Sequence, residues 1–406
     1  MASNPPFVPR GGQINTANPG ARQRRSRRSE LAIWWREVDR LLLFMILALM
    51  AIGTAAVAAA SPASARRLST SAVRLDELHF FYLHLRWQFV GLITMLAASL
   101  LPRDMARRAG IVLGFAMLIG LLLVPVFGFT VNGARRWLNL GMSLQPSEFL
   151  KPAFAIGMAW ILSWRVRDPN LPVVEVATGV MGLVAVMLMA QPDFGSAILF
   201  CGVWFVLVLL SGISVKRVAL AGAALLGVVV GAYLFYDNAR NRIDSFIGGG
   251  SAFDQVDLAE KTLLAGGWTG SGLWLGTRKL ALPEAHTDYI FSVIGEEFGL
   301  LVCAVIVVLY LAIMVRVLLR LVEEEDLFTV LAAAGLAAQL GGQAFINILV
   351  NLQLFPSKGM TLPLISYGGS STIALCLGVG FLLAITRRNP FLQRDPFSLR
   401  QAGGLK

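Results

Sequence analysis

Ten apolar blocks set the terms for this chain, at about 41–61, 81–101, 110–130, 148–164, 172–190, 194–211, 217–236, 289–319, 327–350 and 366–386. Each is near the roughly 20 residues a helix needs to cross the hydrocarbon core of a bilayer. Inside that core every backbone N–H and C=O must find a partner within the chain, so runs of this length become helices. The expected fold is therefore all-α and polytopic: ten transmembrane helices, with a large extracytoplasmic loop (237–288) between spans seven and eight. Only 15% of the residues are charged, against about 25% in soluble domains.

The net charge of +11 raises nucleic acid as a partner. Much of it, however, sits in the tail Arg22 to Arg28, with Arg36 and Arg40 beyond. A basic run before a first apolar segment reads as a cytoplasmic anchor facing anionic lipid. No basic groove interleaved with aromatics is present, so nucleic acid is excluded. Residues 1–40 are expected to be a basic cytoplasmic tail, disordered to about residue 30 by its Pro, Gly, Asn, Ser and Arg content. Residues 41–390 form the membrane domain and 391–406 a C-terminal tail. An even number of spans puts both termini on one side. The short loops on that side are dense in cations (Arg103, Arg107, Arg165, Arg167), which argues for the cytoplasm. The first block is long and lacks a clear cleavage site, so it is expected to stay as an anchor. Cys201, Cys303 and Cys376 lie inside apolar blocks without metal-ligand spacing and read as small core residues.

The 237–288 loop is far longer than the ~12–15 residues at which an unstructured connection becomes unusual. Its Gly270–Gly276 stretch, GSGLWLG, has the wrong spacing for a glycine-rich nucleotide motif and no preceding strand. The loop ends in PEAHTDYIFS, which sets Asp288 where the chain turns apolar again. A carboxylate there is costly unless it pairs, binds or reacts; capping the following helix is the plainer role.

Other polar groups fall on the same side. Arg135 and Arg136 flank Trp137, and Glu148 and Lys151 stand one turn apart at the start of the fourth span. Asp193 sits in the QPDFGS turn, His286 precedes Asp288, Glu296 and Glu297 follow it, and Lys358 lies in PSKGMTLPLISYGGSS. Each has a plain alternative: snorkelling for the arginines, a helical ion pair for Lys151 with Glu148, a cap for Asp193. Glu296 and Glu297, read as two to three turns into a membrane helix, need partners or a hydrated cavity. Together the groups describe one outer cavity with cations for a diphosphate, apolar walls for a lipid tail and a carboxylate for proton removal.

The motifs NGARRW, QPSEFLK, QPDFGSA, PEAHTDYIFSVIGEEFG and PSKGMTLPLISYGGSS, in this order, resemble the SEDS family (shape, elongation, division, sporulation) over about residues 40–390. The basic tail and the Lys358 loop are more similar to its division branch than to its elongation branch. The resemblance implies a glycosyltransferase that polymerises lipid II outside the cytoplasmic membrane of a bacterium, at the division septum. It places the catalytic acid at Asp288 and functional cations at Arg136, Lys151 and Lys358. It also implies a class B penicillin-binding protein of the FtsI type as partner, with other division proteins, and leaves room for a divalent cation such as Mg or Mn. A lipid II flippase would use a similar cavity but also polar residues on the inner half of the helices, where the sequence is poor. A purely structural scaffold would need no polar cavity.

Overall fold

The computed structural model describes residues 31–70, 73–131, 134–139, 141, 143–212, 215–235, 240–241, 244, 251–356 and 359–388. Lys358, the tail to residue 30 and the 391–406 tail lie outside them. The chain divides into two units. In the first, Met1–Val38 with Arg388–Lys406, residues 31–37 are helical, and the Arg388 N–H donates to the Glu37 carbonyl at 3.3 Å. The second, Asp39–Arg387, holds the membrane domain.

Helices occupy all ten apolar blocks. The first seven are α1 (Arg40–Leu68), α2 (His79–Ser99), α3 (Arg103–Phe127), α4 (Pro146–Ser163), α5 (Val173–Ala190), α6 (Phe194–Leu210) and α7 (Val215–Phe235). After the long loop and its own helix α8 (Ser251–Ala265) come α9 (Ile290–Phe298), α10 (Leu300–Leu321), α11 (Leu327–Asn351) and α12 (Gly369–Ile385). Among the described residues α1, α3, α5, α10 and α11 are long and apolar enough to cross a membrane, and α6 and α12 are shorter apolar helices. α12 packs on α2 and α4, and α4 on α3 and α11. On α3, Val112, Phe115 and Val126 are about 70% exposed. A soluble monomer rarely shows so large an apolar face; lipid covers one at no cost.

Two expectations need correction. The block at 289–319 is not one helix: it breaks at Gly299, whose φ is +87°. A Cβ there would meet the Trp268 carbonyl oxygen at 2.4 Å, so only glycine lets the long loop pass this close. The nine-residue α9 is too short to span a bilayer. The fold is also not purely helical. After α3 the chain forms an antiparallel three-stranded sheet: β1 (Phe129–Val131), β2 (Ala134–Asn139) and β3 (Ser143–Leu144). Its Phe-Thr-Val and Arg-Arg-Trp-Leu-Asn runs carry β-branched and aromatic residues that suit strands.

From Ser251 onward the long loop is folded. Val256, Ala259 and Leu263 of α8 are buried, and α8 packs on α9. At the far end of the bundle the buried Asp39 caps α1 through the Leu42 N–H at 3.1 Å. It also pairs with Arg316 at 2.8 Å and Arg320 at 2.6 Å, both near the end of α10.

Candidate functional site

Asp288 stands between two cavities. The larger, about 650 Å³, is lined by Arg136, Glu148, Asp193, His286, Asp288 and Tyr367 among others. The smaller, about 430 Å³, lies towards the end of α1, with Ser64 and Arg67 in its wall. Glu284, His286, Asp288 and Gly359 belong to both walls. The capping role does not hold for Asp288: the cap position of α9 is Tyr289, with no side-chain capping bond. Its main chain is tied down instead. The Asp288 carbonyl accepts from Asn347 Nδ2 at 2.8 Å and Asn351 Nδ2 at 3.1 Å. The neighbouring Thr287 carbonyl accepts from Ser366 Oγ at 2.6 Å.

The β2 strand separates the two arginines. Successive strand residues face opposite ways, and Thr130 pairs with Arg135 across the sheet. Arg135 donates to the Pro125 carbonyl at 2.8 Å and is exposed. Arg136 turns into the larger cavity, donating Nε–H to the Gln191 carbonyl at 3.0 Å and a second N–H to the Pro192 carbonyl. Its guanidinium lies 3.8 Å from Asp193. Asp193 also caps α6, accepting from the Ser196 N–H at 3.3 Å.

Lys151 is 3% exposed and does not line the cavity. It bonds Glu148 Oε1 at 2.7 Å and Gln343 Oε1 at 3.3 Å, so its charge reaches the cavity through Glu148. Among the described residues Glu148 Oε2 has no hydrogen-bond partner although it is buried, a costly arrangement. Sequence reasoning treated Glu148 only as the partner of Lys151; the structure puts it in the cavity wall.

Glu296 and Glu297 are not brought to this cavity. Glu296 accepts the Arg278 and Lys279 N–H groups at 2.6 and 2.9 Å. Glu297 accepts the Gly276 N–H at 3.2 Å and the Trp274 N–H, and pairs with the buried Lys279 ammonium. They staple the long loop to α9. The partners foreseen for them exist, and neither side chain lines either of the two cavities beside Asp288.

His286 is 6% exposed. Its ring lies against Phe80 and Tyr367, with centroids 4.2 and 5.3 Å away. Nδ1 is buried without a partner. Burial lowers the imidazole to about 4, against the opposing pull of the Glu284 carboxylate, so the ring is neutral at physiological pH. No group of three or more His, Cys, Asp or Glu among the described residues is arranged to hold a metal ion.

A family model described as "Cell cycle protein", grouping FtsW, RodA and SpoVE, matches residues 39–390. The chain belongs to this family. It is the SEDS family that the motifs resemble, and its RodA members of known structure are polytopic membrane proteins, as this chain is. A Caulobacter vibrioides relative named "Probable peptidoglycan glycosyltransferase FtsW" is 34% identical, covering 90% of this chain and 93% of its own. A relative of the same name in Aromatoleum aromaticum is 35% identical over 86% of this chain and 88% of its own. Among solved structures, a chain of a peptidoglycan synthase complex coordinating polymerization and crosslinking is 27% identical with TM-score 0.68, covering 86% of this SEDS chain and 97% of its own. Thermus thermophilus RodA is 26% identical with TM-score 0.62, over 87% and 97%.

Proposed function

We propose that this SEDS chain is a peptidoglycan glycosyltransferase that polymerises lipid II at the division septum. The single observation that carries the chemistry is Asp288, set between two cavities, one of which also holds Arg136. A hydroxyl of one lipid II attacks the anomeric carbon of another chain. As the new C–O bond forms, Asp288 takes the hydroxyl proton. The bond to the diphosphate breaks, its electron pair leaves with undecaprenyl diphosphate, and the anomeric centre inverts. A single displacement needs only one base. Arg136 stabilises the charge gathering on the leaving diphosphate, with Lys358. Lys151 acts through Glu148, and the neutral His286 imidazole offers a hydrogen bond at the cavity wall. Asp193 orients Arg136.

The substrate's lipid tail lies in the bilayer, and both termini lie in the cytoplasm of the bacterial cell. The partner is a class B penicillin-binding protein that cross-links the new strands; the peptidoglycan synthase complex among the structural neighbours supports this. Single cysteines replacing Ser251 and Ser357 in a cysteine-free background should react with an impermeant thiol reagent added outside, and one replacing Asp168 should not. Equal labelling of all three would overturn the orientation. The catalytic reading is tested by polymerisation of labelled lipid II with the transpeptidase partner. Strand synthesis by Asp288→Asn at near the parent rate would remove Asp288 from the chemistry.

A further inference from the structure

α11 carries an amide at every fourth position of its second half: Gln339, Gln343, Asn347 and Asn351. The interval of four lines them up on one helix face, and all four are buried. Polar side chains in a membrane helix persist only with partners, and three of these four have partners in the site. Gln343 accepts from Lys151 at 3.3 Å and donates to the Thr361 carbonyl at 3.0 Å. Asn347 donates to the carbonyls of Asp288 at 2.8 Å and Met360 at 2.6 Å. Asn351 donates to the Asp288 carbonyl, and its Oδ1 accepts from Ser292 Oγ at 2.7 Å. One rigid face thus reaches the Glu148–Lys151 pair, the Asp288 loop and the loop before α12.

We propose that Asn347 is a positioning residue for glycosyl transfer. It is the rung that touches the Asp288 loop and the last outer loop at once, so it fixes the carboxylate between its two cavities. The role rests on Asp288 being the base. Asn347 is buried behind the Asp288 main chain and lines neither cavity, so its effect on the reaction is indirect. A base displaced by about 1 Å costs on the order of 10²-fold in rate without weakening binding.

The test measures polymerisation of fluorescent lipid II by the purified full chain with its transpeptidase partner, for Asn347→Leu and for Asp288→Asn in parallel. The expected result for Asn347→Leu is a kcat lowered ten- to a hundredfold, with KM near the parent value and a melting temperature lowered by no more than the loss of the Asn347 hydrogen bonds accounts for. Unchanged kcat overturns the proposal. A fall in kcat accompanied by a loss of melting temperature beyond that also overturns it, because the amide is then only part of the packing. If Asn347→Leu does not reach the membrane, Asn347→Ser, smaller and still polar, decides by the same criteria. An Asp288→Asn chain that still polymerises overturns the parent reading and this one together. A dead Asp288→Asn beside an unaffected Asn347→Leu overturns this one alone.

Discussion

Asp288 and the pair Glu296 and Glu297 stand within ten residues of each other in sequence and in opposite surroundings. Glu296 and Glu297 are 2% and 1% exposed, and backbone N–H groups of residues 274–279 and the Lys279 ammonium occupy their oxygens. Asp288, half-buried, opens onto two cavities, and Glu148 in the larger one keeps an oxygen without a hydrogen-bond partner among the described residues. Burial alone does not separate carboxylates that line a cavity from stapled ones, because Glu148 is buried and still lines the larger cavity. What distinguishes them is what surrounds the carboxyl group: the chain's own N–H groups and an ammonium for the pair, a space the size of a ligand beside Asp288. Asp39, enclosed by two arginines at the far end of the bundle, belongs with the structural pair.

The contrast is broken most directly at Asp288. The Asn substitution is nearly isosteric and keeps fold and abundance, but an amide cannot accept the hydroxyl proton. Glycan synthesis should disappear from the gel while membrane abundance is unchanged. Next in size is the cation set. Arg136→Ala and Lys358→Ala should each slow polymerisation by about 10²–10³-fold, the usual cost of one lost transition-state donor. Normal turnover in both would remove these side chains from the chemistry.

The structural pair should fail in the other way. Removing the Lys279 partner leaves Glu297 buried and uncompensated, a loss of about 3–5 kcal/mol. Lys279→Met should therefore lower membrane abundance and melting temperature, while each surviving molecule keeps close to parent turnover. If Lys279→Met is instead stable and inactive, the division between stapling and working carboxylates is wrong.

How much of this was legible in the sequence depends on what kind of signal each residue gives. The helices were, because a bilayer enforces long apolar runs, and so were Asp288, Arg136, Asp193 and His286, polar groups in the loops that join such runs on one side. The break at Gly299 was not, since a single glycine inside an apolar run looks like close helix packing until the loop that passes over it is seen. The sheet after α3 was missed although Asn132-Gly133 between strand-forming residues is a hairpin signal; the surrounding hydrophobicity outweighed it. Glu296 and Glu297 were placed in the cavity because their partners lie in a loop some twenty residues earlier, which spacing cannot reveal. The amides of α11 did leave a signal, polar residues at intervals of four in an apolar helix, which only their partners make meaningful.

The smallest expected effect concerns His286, which sits at the boundary of the comparison: buried like the staples, yet in the wall of both cavities. Its imidazole is held at about 4 by burial, against an ordinary value near 6.5. In the folded chain it stays neutral from pH 7 down to about 5, whereas in the unfolded chain it takes up a proton below about 6.5. The unfolded state then binds more protons, so stability falls as pH drops through this window. Between pH 7 and pH 5 the loss from this one group is about 2 kcal/mol. His286→Gln removes the titration, so its melting temperature should drop less over that interval than the parent's. An equal drop in both would mean that the ring is not held neutral, and that His286 belongs with the solvated groups of the cavity. The acid limb of the polymerisation rate should also survive in His286→Gln, because a ring already neutral at pH 5 cannot set it.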